Sequence, residues 1–70
     1  MDTAISILVN GEKREARAGG TVADLLLALG LSAGRVAIER NLEILPRPQW
    51  AETQIAAGDR FEIVQFVGGG

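Results

Sequence analysis

Apolar residues near the start of the chain recur at every second position. In the segment AISILV, Ile5, Ile7 and Val9 alternate with smaller or more exposed residues, a period typical of a β-strand. The dipeptide Asn10-Gly11 comes next and favours a tight hairpin, because both residues tolerate positive φ angles. We therefore expect a hairpin. Its mostly polar returning strand, residues 13–18, lies at a sheet edge or turns one face to solvent.

The period then changes to that of a helix in GGTVADLLLALGL. Apolar residues at spacings of i, i+3, i+4 and i+7 form one face: Val22, Leu25, Leu26 and Leu29. Thr21 and Asp24 have the spacing of a capping box, and Gly30 is suited to the left-handed residue that ends a helix. These signals predict a helix from about Thr21 to Leu29.

The middle of the chain alternates short apolar runs with turn signals. A strand is predicted at Val36 to Ile38, a turn near Asn41 and a brief strand in the segment EIL. Pro46 and Pro48 interrupt regular pairing, and one helical turn is expected after them. We expect Trp50 to fill one end of the core from this segment.

The last strand, RFEIVQFV, is apolar on both faces. Phe61 and Ile63 share one face, whereas Val64 and Phe66 share the other. The order of elements predicts an α+β fold in which one main helix packs across one face of a mixed β-sheet. One helix covers one face only, so Val64 and Phe66 are left for a partner. The predicted core comprises Ile5, Ile7, Val22, Leu25, Leu26, Leu29, Val36, Ile38, Phe61 and Ile63.

The amino-acid composition limits the kinds of reactive site that the chain can form. The chain has 70 residues, a net charge of −2, no cysteine and no histidine. Disulfides are excluded, and the thiol and imidazole groups of most nucleophilic or zinc sites are lacking. With scattered basic residues and few aromatic ones, the chain is not expected to bind nucleic acid. The chain also has no apolar run long enough to cross a membrane, and we expect a cytoplasmic protein.

Two further groups of residues have an ordinary structural interpretation. The nine acidic residues, Asp59 among them, are spread along the chain without a metal-loop pattern and are expected to be solvated. The segment Gly19-Gly20-Thr21 lacks the lysine of a phosphate-binding loop, so a tight turn into the helix is the favoured interpretation.

The chain closes with VGGG directly after the last strand. Glycine has no Cβ, so a tail of Gly68, Gly69 and Gly70 fits a narrow channel. The α-carboxylate of Gly70 is then the remaining distinctive reactive group, and adenylation with ATP would activate it. We divide the chain into a domain of residues 1–67 and a flexible tail of residues 68–70.

Several segments together are similar to a known family. The segments NGE, GTVADLL, VAIERNLEILPRPQW and GDRFEIVQFVGGG resemble the sulfur carrier proteins of thiamine biosynthesis, which have the ubiquitin-like β-grasp fold. The resemblance implies a carrier rather than an enzyme, with no bound cofactor or metal. It implies that Gly70 is adenylated and converted to a thiocarboxylate, and that Gly68 and Gly69 form the threading arm. By position, Val64, Phe66 and Val67 are expected to face partners.

The implied partners are a ubiquitin-activating-like adenylyltransferase that uses ATP, a persulfide donor such as a cysteine desulfurase, and thiazole synthase. Three alternatives stay open at this point. They are the small subunit of molybdopterin synthase, a protein modifier joined to lysines through Gly70, and a β-grasp module that only binds partners.

Overall fold

The computed structural model describes residues 3–31 and 33–66. Within them the strands are β1 (Ala4–Val9), β2 (Glu12–Arg17), β3 (Val36–Arg40), β4 (Glu43–Ile44) and β5 (Arg60–Gln65). The α-helix is α1 (Val22–Leu29), and short 3-10 turns span Ala33–Arg35 and Arg47–Gln49. The order of the strands and the α-helix is the predicted one, and the turn at Ala33–Arg35 is an addition that was not predicted.

The strands form one five-stranded sheet in the order β2-β1-β5-β3-β4. β1 and β5 run parallel, whereas β1–β2, β3–β5 and β3–β4 are antiparallel. The last strand in sequence is therefore the central strand in space. Because α1 packs across one face of this mixed sheet, the predicted α+β fold class is confirmed.

Both ends of α1 are capped as the sequence predicts. The Thr21 hydroxyl accepts a hydrogen bond from the Asp24 N–H at 3.2 Å, and Asp24 Oδ2 accepts one from the Thr21 N–H at 3.0 Å. At the other end Gly30 is left-handed with φ 73°, and the Leu31 N–H donates to the Leu26 carbonyl at 3.1 Å. The two caps therefore hold the helix to its short predicted length.

The turn before the helix also has the predicted form. Gly19 has a φ angle of +85°, a value that residues with a side chain rarely adopt. The Gly20 N–H donates to the Arg17 carbonyl at 3.0 Å. Thr21 then serves as the helix cap. The segment therefore reverses the chain between β2 and α1.

The core lies between α1 and the inner face of the sheet. Its buried members are Ile7, Val9, Val22, Leu25, Leu26, Val36, Ile38, Trp50, Ile55, Phe61 and Ile63. Two predicted members, Ile5 and Leu29, are only partly buried, because each lies near the end of its element and packs against the rim of the cluster. Val9 and Ile55 are core residues that the prediction missed.

Trp50 fills one end of the core as expected. Its side chain is 5% exposed, and its indole Nε1–H donates to the Leu45 carbonyl at 2.8 Å. The hydrogen bond satisfies the one polar group that burial of the ring would otherwise leave unpaired.

In residues 3–31 and 33–66, no helix has the length and apolar character needed to cross a bilayer.

Adjacent leucines on α1 test the assignment of its faces. Leu26 is 3% exposed and Leu27 is 78% exposed. We expect Leu26→Ala to lower the free energy of unfolding by about 2–5 kcal/mol, because it leaves a cavity in the core. Leu27→Ala should change it by less than about 0.5 kcal/mol. Urea denaturation of the two variants measures both effects, and equal losses would show that the faces are wrongly assigned.

Candidate functional site: the outer face of the sheet

The outer face, the side of the sheet opposite α1, exposes apolar side chains of the central strand. Within β5, Phe61 and Ile63 are buried in the core beneath the helix, while Val64, and Phe66 just after the strand, are 56% and 58% exposed. This alternation confirms the predicted orientation of Val64 and Phe66. The strand therefore presents apolar surface that the described part of the chain does not cover.

Strand register brings further residues to the same face. Val64 lies opposite Ala37 on β3, and Glu62 lies opposite Glu39. Glu39 in turn lies opposite Ile44 on β4, and Ile44 is 78% exposed. Ile44, absent from the predicted site, extends the apolar surface to the sheet edge. The one sequence signal for it is the turn near Asn41, which folds β4 back onto β3.

Asn10 fixes one side of β5. This residue has φ 51° in the β1–β2 turn, and its side chain reaches across to the backbone of Ile63. Asn10 Oδ1 accepts from the Ile63 N–H at 2.7 Å, and Asn10 Nδ2 donates to the Ile63 carbonyl at 3.1 Å. The amide thus continues the parallel β1–β5 pairing past the end of β1.

Asn41 fixes the other side of β5 in a similar way. Its φ is 52°, its N–H donates to the Arg60 carbonyl at 2.8 Å, and its Oδ1 accepts from the Arg60 N–H at 2.9 Å. Asn41 Nδ2 also donates to Asp59 Oδ1 at 3.2 Å. The β3–β4 turn is therefore tied to the start of the central strand.

Asp59 is buried, so its predicted solvent exposure is wrong. It is 6% exposed, and its Oδ2 accepts from the Ala56 N–H at 2.9 Å and from Arg40 Nε at 3.0 Å. Burial by itself would raise the pKa of Asp59. The hydrogen bonds from Ala56, Asn41 and Arg40, with the charge of Arg40, outweigh burial and lower that pKa.

The remaining predicted site residues lie at the end of the chain. Val67, Gly68, Gly69 and Gly70 are outside the described residues. The described part of the site ends at Phe66, whose N–H donates to the Arg35 carbonyl at 2.8 Å. Phe66, at the end of the outer face, is therefore followed directly in sequence by the terminal segment, residues 67–70.

A mixed sheet with its last strand at the centre and a helix packed across one face defines a ubiquitin-like β-grasp protein. A protein designed on the template of human erythrocytic ubiquitin shares this fold, with a TM-score of 0.55 at 20% identity over all of this chain and 98% of that one. The model of the ThiS family matches residues 7–70, and the chain belongs to that family.

Curated relatives and a crystal structure agree with this assignment. The sulfur carrier protein ThiS of Escherichia coli is 35% identical over 66 residues, which cover 94% of this chain and 100% of that protein. The thiamine biosynthesis protein ThiS of Geobacter metallireducens superposes with a TM-score of 0.80 at 33% identity, over 94% of this chain and all of that one. The resemblance to the sulfur carriers of thiamine biosynthesis is thus confirmed.

Some relatives are much longer. The thiazole synthase of Paramagnetospirillum magneticum is 46% identical over 66 residues, which cover 94% of this chain but 20% of that protein. The chain thus spans about a fifth of the length of this relative. A sequence similar to the carrier is therefore part of a protein that is named a thiazole synthase.

The Asp59 network makes stability depend on pH in a defined direction. The pKa of Asp59 is lower in the folded protein than its ordinary value of 3.8. The ionised carboxylate therefore stabilises the fold fully above about pH 4, and this contribution is lost as the pH falls through the folded pKa. Asp59→Asn should lower the free energy of unfolding at pH 7 by about 1–3 kcal/mol.

The measurement is urea denaturation of both proteins between pH 7 and pH 2.5. The difference between wild type and Asp59→Asn should be constant at neutral pH and shrink in acid. Glu52→Gln, which removes an exposed carboxylate, is the control and should show no such difference. A wild-type advantage that stayed constant down to pH 2.5 would contradict the assigned role of the carboxylate.

Proposed function

We propose that the chain carries sulfur for thiazole formation in thiamine biosynthesis as a thiocarboxylate on Gly70. The observation that carries this proposal is the ThiS family match, which runs to residue 70. The E. coli relative of similar length is named a sulfur carrier protein, and longer relatives are named thiazole synthases. The chain then acts as a protein co-substrate and not as an enzyme.

The chemistry begins with activation of the carboxylate. A carboxylate is a poor electrophile, but attack by a Gly70 oxygen on the α-phosphorus of ATP gives an acyl adenylate and releases pyrophosphate. A persulfide sulfur then attacks the acyl carbon, and AMP leaves with the bonding electron pair. A thiol cleaves the resulting S–S bond, which frees the thiocarboxylate and leaves a disulfide on the donor side.

These steps assign the reactive groups to other proteins. A ubiquitin-activating-like adenylyltransferase binds ATP, a donor such as a cysteine desulfurase supplies the persulfide, and thiazole synthase accepts the sulfur. The carrier needs no cofactor, metal or thiol of its own, because the sulfur is held on a carbonyl carbon. We place these reactions in the cytoplasm, where ATP and reduced thiols are available.

The terminal glycines and the outer face have separate tasks in this proposal. Gly68 and Gly69 deliver the carboxylate, since backbone without Cβ occupies the least width in a channel. Val64, Phe66 and Val67 contact the partner that receives the tail. Because Val64 and Phe66 are exposed and Phe66 directly precedes the terminal segment, docking of this face places the carboxylate within reach of the partner.

The tail can be tested by adenylation. Deletion of Gly70 shortens the arm by about 3.5 Å, and we expect it to abolish ATP–pyrophosphate exchange catalysed by the adenylyltransferase. Gly69→Val should abolish exchange too, because a β-branched side chain widens and stiffens the arm. The melting temperature of both variants should match that of wild type. Normal exchange by either variant would contradict the role of the arm.

Contact through the outer face can be tested separately. Phe66→Asp places a charge in the proposed interface and should weaken binding to the adenylyltransferase by about tenfold or more. Its melting temperature should change little, because Phe66 is 58% exposed. Leu27→Asp makes the same change on an exposed helix position and should bind normally. Calorimetric titration gives the affinities, and equal affinities for the two variants would place the interface elsewhere.

A further inference from the structure

Two carboxylates oppose each other on the outer face. Glu39 on β3 and Glu62 on β5 are direct cross-strand partners, and both side chains are exposed. Within the described residues neither carboxylate has a hydrogen bond or an ion pair. Like charges directly opposite each other destabilise an antiparallel pair. Like charges thus face each other near the centre of this face, and among the described residues no cation forms an ion pair with either of them.

The surroundings of this pair are apolar on two sides. Ile44 lies opposite Glu39 on β4, and Val64 follows Glu62 along the same face of β5. Arg60 is the nearest cation along that strand, two residues before Glu62, and it has no ion pair with it. The pair thus resembles one half of a charge-complementary interface, in which a cation is enclosed by an apolar border.

A strained leucine borders the same face. Leu42 has φ 73° in the β3–β4 turn and is 79% exposed. It lines a depression of about 160 Å³ together with Leu8, Arg60 and Glu62. Left-handed backbone favours glycine or asparagine and strains a leucine. Because its side chain is mostly in solvent, burial within the chain does not offset that strain.

We infer that the outer face docks a protein surface that places an arginine or lysine between Glu39 and Glu62 and apolar side chains against Leu42 and Ile44. The inference rests on the proposed function and commits to one occupant, the adenylyltransferase. That enzyme must neutralise the phosphates of ATP where it receives the carboxylate, which favours cationic groups around the tail entrance. A carrier of net charge −2 that presents two free carboxylates complements such a surface.

The inference predicts opposite effects on stability and on binding. Glu39→Gln removes the repulsion, and Leu42→Gly removes the backbone strain, so neither variant should melt below wild type. Both should nevertheless bind the adenylyltransferase about fivefold or more weakly, because each loses a contact made only in the complex. Glu39→Arg should melt higher still, since it pairs with Glu62, and should bind most weakly, since its guanidinium occupies the partner's place.

The experiment measures melting temperature and the dissociation constants of the full chain with the adenylyltransferase and, separately, with thiazole synthase, each at two salt concentrations. Glu52→Gln and Leu27→Ala are the matched controls, because they remove an exposed charge and an exposed leucine away from this face. Wild type and the controls should lose affinity with added salt, whereas Glu39→Gln should lose less.

The possible outcomes separate the inference from the proposed function. Affinities of Glu39→Gln and Leu42→Gly equal to those of the controls, with wild type still adenylated, would overturn this inference and leave the proposed function standing. Melting temperatures that fall together with affinity would assign the residues a structural role and overturn it too. Loss of binding to thiazole synthase alone would show that the occupant is wrong. Failure of wild type to be adenylated would refute the proposed function, and the inference with it.

Discussion

The fold depends on the position of the last strand at the centre of the sheet. β5 pairs with β1 on one side and with β3 on the other, so the first and last strands meet only in the folded protein. Phe61 and Ile63 of this strand complete the core beneath α1. Because pairing between distant segments requires closure of long loops, the sheet is complete only when the final strand is in place. The same strand displays Val64 and is followed by the exposed Phe66, two positions before the first terminal glycine.

Side chains from two turns make this central position specific. Asn10 bonds to the backbone of Ile63, and Asn41 bonds to the backbone of Arg60. Both asparagines have positive φ angles, so each residue shapes a hairpin turn and also extends the hydrogen bonding of β5. Asp59, held by Arg40 and Asn41, then anchors the loop that feeds the strand. The central strand is thus bound through its backbone, which leaves its outward side chains available for partners.

Local patterns in the sequence predict much of this structure. Three local patterns correctly predict the structure: the capping residues Thr21 and Asp24, the hairpin at Asn10 and the alternation along β5. Each of these features depends only on neighbours within a few positions in the sequence. Burial of Asp59 was not predictable in this way, since its partners Arg40 and Asn41 lie 19 and 18 positions away. The bonds of the asparagine side chains depend likewise on the order of strands in the sheet.

The residues of the candidate site likewise fall into two groups, those that local sequence patterns predict and those that depend on contacts between distant segments. Exposure of Val64 and Phe66 follows from strand periodicity, so it was predictable. The contributions of Ile44 and of the opposed carboxylates Glu39 and Glu62 follow from register between strands, which no local pattern shows. The terminal glycines were assigned a role from their place after the last strand and their lack of Cβ, whereas the sulfur chemistry predicted for Gly70 came from similarity to a family.

The proposed function assigns docking to the exposed outer face and reaction to the carboxylate of Gly70. The most direct test is the intact mass of the protein isolated from its native host, grown without thiamine and lacking thiazole synthase, so that the carried sulfur accumulates. The account predicts a species heavier by the difference between one sulfur and one oxygen atom, with the change located in the peptide that ends at Gly70. Finding only the plain carboxylate under these conditions, or Gly70 joined to a lysine of another protein, would contradict it.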